Sequence, residues 1–194
     1  VYKRQVYEYV RGLALGATDP TGLFTEIIIR CRSIKGLPAS HCWIERKGEV
    51  CGGHPKCAWP TSEKCDELGP WGPIIVPCDP WKESEDFKIP TSDPLDMTTP
   101  IKCPEGTDYE AVWNCVLETA KKIEACKIKY FPTGPNSNST LKAIYQRCVQ
   151  SRGCSFMLTP RGGEPRTTGG KPAIGWDSDL GDAAMARCLE EANA

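Results

Sequence analysis

The stretch that decides the fold reads Gly134-Pro135-Asn136-Ser137-Asn138-Ser139-Thr140-Leu141-Lys142-Ala143-Ile144-Tyr145-Gln146-Arg147-Cys148-Val149. Pro132-Thr133-Gly134-Pro135 turns the chain, and Asn136, Ser137 and Asn138 are residue types that favour helix starts. Leu141, Ile144, Tyr145, Cys148 and Val149 then fall on one helical face, which predicts a helix over about 137–150. The first turn of such a helix carries unpaired N–H groups at the positive end of its dipole. A hydroxyl placed there can serve as a nucleophile beside an oxyanion site, or the polar residues can simply cap the helix.

Outward from this stretch, Ile128 to Phe131 reads as a short strand. Before it, Thr107-Asp108-Tyr109-Glu110 has the form of a capping box, followed by Val112, Val116, Thr119 and Ile123 at helical spacing, which predicts a helix over about 108–125. Residues 25–34 are rich in β-branched types and read as a strand. Gly36-Leu37-Pro38 breaks it, His41 to Arg46 reads as a second strand, and Lys47-Gly48 is a hairpin turn into Glu49-Val50-Cys51. Residues 52–106 are dense in Pro, Gly, Trp and Cys, with only Ile74-Ile75-Val76 reading as a strand. A long insertion pinned by disulfides is predicted there, because so long a bare loop is improbable. Residues 159–172 read as a Gly/Pro loop, and Asp177 or Ser178 caps a last helix ending near 191. These elements predict an α+β fold, a small antiparallel sheet packed with two or three helices.

The chain has 194 residues, a length for one domain with its own core, and a net charge of -1. That charge offers no basic field for nucleic acid. No segment reaches the roughly 20 apolar residues of a membrane helix, since Ile27-Ile28-Ile29 is cut short by Arg30. Twelve cysteines are spread along the whole chain, an even number that predicts disulfides and an oxidising compartment, secreted or at the cell surface. The opening Val1-Tyr2-Lys3-Arg4-Gln5 resembles a translated adapter from assembled metagenomic reads and is set aside.

The element order is a strand beginning at His41, a helix, a short Tyr-bearing strand, then Asn136-Ser137-Asn138 opening another helix. It resembles the circularly permuted papain-like fold of NlpC-type and lecithin retinol acyltransferase-like proteins, in which a histidine precedes a nucleophile that opens a helix. Gly175-Trp176 resembles the ending of proteins that carry a Gly-Pro-Asn-Ser-Asn motif. The resemblance implies a candidate catalytic group of His41 as base and Ser137 as nucleophile, with Asn136 beside it; it names no third member of a triad, and Glu45 only shares the strand face of His41. Ser137 departs from the family, whose nucleophile is cysteine; a thiolate gains from the helix dipole, whereas a serine depends wholly on its base.

A second resemblance covers residues 6–23, Val-Tyr-Glu-Tyr-Val-Arg-Gly-Leu-Ala-Leu-Gly-Ala-Thr-Asp-Pro-Thr-Gly-Leu. It is similar to the end of the Rhs (YD-repeat) repeat-associated core: Tyr7, Tyr9, Val10, Leu15, Asp19, Pro20, Gly22 and Leu23 fit, and Ala14 stands where the family has proline. The resemblance implies that residues 1–23 are the last remnant of an Rhs shell and that 24–194 form a toxin-like effector domain. It also implies a self-cleavage motif at Asp19, Pro20, Gly22 and Leu23. The implied partners are the upstream shell, an immunity protein, and a peptide, cell-wall or lipid substrate.

Other chemistries compete. Cys51-Gly52-Gly53-His54-Pro55-Lys56-Cys57, with His41, Cys42 and Cys65, has spacing that can hold zinc, but with so many further cysteines disulfides are the expected outcome, and no metal or cofactor is expected. Cys115 falls in mid-helix, where a thiol gains nothing from the dipole, and reads as core or disulfide. Two histidines and no clustered acidic motif argue against a nuclease. The function that results is a papain-like hydrolase or acyltransferase acting on an amide or ester bond. Its alternative is an inactive papain-like domain that binds at a cell surface.

Overall fold

Lys47 and Gly48 both take positive φ, 49° and 85°. This is the backbone of the tight turn whose twist matches a hairpin, and it joins β2 (Ser40–Arg46) to β3 (Glu49–Cys51) as the sequence predicts. A computed structural model of the chain describes residues 27–33, 40–57, 71–80, 83, 97–156, 176 and 178–192. The Rhs-like segment 6–23 and the loop 159–172 lie outside the described residues.

On its other edge β2 pairs with β1 (Ile27–Ser33) along its whole length. The remaining strands are β4 (His54–Pro55), β5 (Ile74–Ile75), β6 (Cys78–Pro80), β7 (Met97–Lys102) and β8 (Ser155–Phe156). An antiparallel sheet runs in the order β6-β3-β2-β1-β7-β8, and β4 pairs with β5 in a separate ribbon. Within 52–106 the sequence identifies only the segment at 74–76, so β4, β6 and β7 are additions. β7 carries Pro100 opposite Ile28, and a proline inside a strand masks the usual pattern.

Among the described residues there are three α-helices, α1 (Tyr109–Ala125), α2 (Ser137–Ile144) and α3 (Asp179–Glu191); α1 and α2 pack against the strands, and α3 packs on α1 and α2. Asp108, not Thr107, caps α1, accepting from the N–H groups of Glu110 and Ala111, while Thr107 donates to the Pro104 carbonyl. Ser178 caps α3. Ile27, Ile29, Cys31, Cys42 and Ile44 face Val112, Val116, Ala120 and Ile123 of α1 and Leu141 and Ile144 of α2 in one core. Arg46 and Glu49 fasten the hairpin to α1, through Glu110 at 2.8 Å and Trp113 Nε1 at 2.8 Å. The Arg46 guanidinium holds the Glu110 carboxyl below its ordinary value.

The predicted second helix stays α-helical only to Ile144. Tyr145–Val149 widens into a π turn and Gln150–Arg152 tightens into 3-10. The apolar face still reaches the core, with Tyr145, Cys148 and Val149 buried.

All eleven cysteines among the described residues are disulfide-bonded. Cys31–Cys42 and Cys51–Cys78 join residues directly opposite each other in neighbouring strands, and Cys103–Cys154 lies one step beyond the Lys102–Ser155 pair. Cys115–Cys148 ties α1 to the π turn, and Cys126–Cys188 ties the end of α1 to α3. No described helix is long and apolar enough to cross a membrane.

Candidate functional site

The opening of α2 is held from four directions. The first is its own cap. Asn136 Oδ1 accepts from the N–H groups of Asn138 at 2.8 Å and Ser139 at 3.2 Å, and its Nδ2 donates to the Pro132 carbonyl. Ser139 Oγ accepts from the Asn136 N–H, closing a reciprocal capping box. Thr140 sends both its N–H and its hydroxyl back to the Asn136 carbonyl.

The second tie runs to the sheet. β3 pairs with β2 only from Ile44 to Arg46, so among the described residues β2 has no strand partner on that edge at residues 40–42. The Asn138 side chain fills the place: Oδ1 accepts from the Cys42 N–H at 3.0 Å and Nδ2 donates to the Ser40 carbonyl at 2.9 Å. A primary amide presents the same acceptor and donor as a peptide unit, so Asn138 continues the sheet by side chain. Its two partners flank His41, which places the helix carrying Ser137 against the strand carrying His41.

The third and fourth ties are close backbone approaches. A Cβ on Gly53 would lie 2.9 Å from Thr140 Cβ and 3.1 Å from Ser137 Cα. A Cβ on Gly181 would lie 2.8 Å from Ser139 Cβ and 3.4 Å from the Gly134 carbonyl oxygen. The small residues of the α2 opening are therefore packed between two glycines, one from the β3–β4 connection and one from α3. Gly53→Ala is expected to cost about 1–3 kcal/mol through overpacking. Thermal unfolding followed by circular dichroism checks it, and an unchanged midpoint would show a looser approach.

Tyr130 completes the group. Its N–H donates to the Gly72 carbonyl, and Lys129 bridges to Pro73, so residues 128–130 lie along the ribbon that carries His54. Burial pushes the Tyr130 phenol above its ordinary value, and hydrogen bonds from the Ser137 hydroxyl and backbone partly offset the rise. His54 follows Gly53 and brings its ring to 5.0 Å from that of His41, which is itself 5.7 Å from Trp43. His41 is 8 % exposed and Ser137 is 5 % exposed.

The first four N–H groups of α2 are all engaged: Ser137 with Tyr130, Asn138 and Ser139 with Asn136 Oδ1, and Thr140 with the Asn136 carbonyl. Asn136 has both ends of its amide committed, the oxygen to capping and the nitrogen to the Pro132 carbonyl. Glu45, on the strand face of His41, is taken by Arg30 at 2.6 Å. Asp19, Pro20, Gly22 and Leu23 lie outside the described residues.

The sequence places Tyr130 only in a strand, where the structure has an isolated bridge between Lys129 and Pro73, and it groups His54 with cysteines. Cys42, Cys51 and Cys57 are all in disulfides, so none of them offers a thiolate, while Cys65 lies outside the described residues. Among the described residues no group of three or more His, Cys, Asp or Glu is arranged to hold a metal. No protein-family model, curated protein or solved structure matches this chain.

Proposed function

We propose that residues 24–194 are the secreted effector domain that follows an Rhs repeat-associated core, built on a permuted papain-like scaffold and acting by binding rather than hydrolysis. The observation that carries the non-hydrolytic reading is the commitment of the α2 opening. An oxyanion site needs preorganised donors aimed at developing charge. The donors that the helix start would supply are already spent on Tyr130 and Asn136. Ser137, at the position of the family's nucleophile, is buried and hydrogen-bonded to a phenol, so it serves as a joint between α2 and the His54 ribbon. The disulfides support an oxidising destination. The partner class follows from the resemblance: a peptide, a cell-wall crosslink or a lipid ester, with an immunity protein on the producing side.

One grouping favours the second reading, a hydrolase or acyltransferase acting on an amide or ester bond. Tyr130 bonds Ser137, Gly53 packs against Ser137 immediately before His54, and the His54 ring is 5.0 Å from that of His41; a hydroxyl served by an imidazole is the equipment of a serine nucleophile. A fluorophosphonate separates the two. The binding reading expects no adduct on Ser137, and for Ser137→Ala a stability loss of about 1 kcal/mol, the worth of one hydrogen bond. A Ser137 adduct that disappears in His41→Ala would establish the hydrolase instead.

A further inference from the structure

The chain has only two histidines, and the fold brings them together from separate sheets. We propose that His41 and His54 form a two-imidazole site for a borderline divalent transition metal such as Zn2+, Cu2+ or Ni2+. The proposal is independent of whether Ser137 reacts.

The geometry carries it. A metal bound about 2.0–2.1 Å beyond an imidazole nitrogen stands roughly 3.2 Å from the ring centre, so two rings sharing one metal at right-angled to tetrahedral geometry have centres roughly 4.5–5.2 Å apart. The His41 and His54 ring centres are 5.0 Å apart, with the planes inclined at 48°. The backbone that carries each ring is held in place. His41 is fixed in β2 between the two bonds that Asn138 makes to Ser40 and Cys42, and His54 is fixed by pairing with Ile75 and by the close approach of Gly53 to α2. Imidazole suits these metals, and the nearby cysteines that would otherwise compete are in disulfides. His54 is only partly buried, so water can complete the coordination. The Arg32 guanidinium lies 5.5 Å from the Trp43 ring, and Arg32 pairs with His41 across β1 and β2. Its positive charge opposes a cation, which makes the site exchangeable rather than a permanent structural centre.

The test is equilibrium dialysis of the full oxidised chain against Zn2+ at neutral pH. One equivalent is expected to bind. His41→Ala and His54→Ala should each weaken binding by at least about tenfold, since even outer-shell partners of a metal are worth 10–100-fold. Acidification should release the metal, because an imidazole must lose its proton to ligate. A measurement on the unaltered protein guards against variants that misfold: Zn2+ should protect both histidines from diethylpyrocarbonate. Absence of Zn2+-dependent protection, or equal affinity in His54→Ala, would overturn the site and leave a ring contact only.

Discussion

Reducing the disulfides under otherwise native conditions is expected to unfold the domain. Each of the five bonds between described cysteines closes a loop, and the sequence separations are 11, 27, 33, 51 and 62 residues. Loops of this size are worth about 3–4 kcal/mol apiece when taken one at a time. A domain holds roughly 5–15 kcal/mol in total. Losing several bonds together therefore removes the margin, even if the terms are far from additive. Cys126–Cys188 closes the longest of these loops and joins the end of α1 to α3. Without it α3 keeps Met185 and Leu189 in the core and the Lys142–Asp182 pair at 2.7 Å, which is partly exposed and worth little. Replacing both Cys126 and Cys188 by Ala is expected to lower the thermal midpoint by about 8–16 °C, at 2–4 °C per kcal/mol for a chain of this size. Replacing Cys31 and Cys42 together should cost less, about 3 kcal/mol, because the loop is short and the strands already pair. Midpoints measured with and without a phosphine reductant check both statements. A fall of under about 3 °C in the Cys126/Cys188 variant would show that packing alone holds α3.

The local punctuation of this chain is readable and its long-range pairing is not. Lys47-Gly48 specifies a turn from two residues, and Ser178 and the Asn136 opening specify helix starts from a few more. β7 could not be found this way. Its segment Thr98-Thr99-Pro100 has no alternation and contains a proline, and the partner that makes it a strand is β1, far earlier in the chain. β6 is three residues, Cys78-Asp79-Pro80, and gains its identity from pairing with β3. The candidate site divides in the same manner. Asn136, Ser137 and Asn138 announce a helix start, which is a local property. That Asn138 would reach β2, that Tyr130 would meet Ser137, and that Gly53 and Gly181 would close on the same turn are consequences of packing. Spacing groups His54 with Cys51 and Cys57, but those cysteines are in disulfides, and His54 faces His41 instead.

The Asn138 side chain is the joint on which the site depends, and its removal is expected to have the largest effect of any single substitution in the α2 opening. Asn138 is 3 % exposed and bonds the Cys42 N–H and the Ser40 carbonyl at once. Asn138→Ala strands both backbone groups in the interior. An unsatisfied buried donor or acceptor costs about 1–3 kcal/mol, so a loss of about 2–4 kcal/mol is expected for the pair. The Asn138→Asp variant distinguishes a lost clamp from a mere cavity. The introduced carboxyl keeps an acceptor for the Cys42 N–H but sets an oxygen against the Ser40 carbonyl oxygen, so only its protonated form can reproduce both bonds. Burial and that opposition raise its folded-state pKa above the ordinary value near 3.9. A group raised in the folded state contributes stability at low pH and loses it as pH rises through the folded value. Asn138→Asp is therefore expected to be closer to the parent at pH 4 than at pH 7, while the deficit of Asn138→Ala stays nearly constant. Denaturant unfolding at the two pH values measures this. Parallel pH profiles for the two variants, or a loss under about 1 kcal/mol in Asn138→Ala, would mean that α2 is held to His41 by its apolar face and not by the amide.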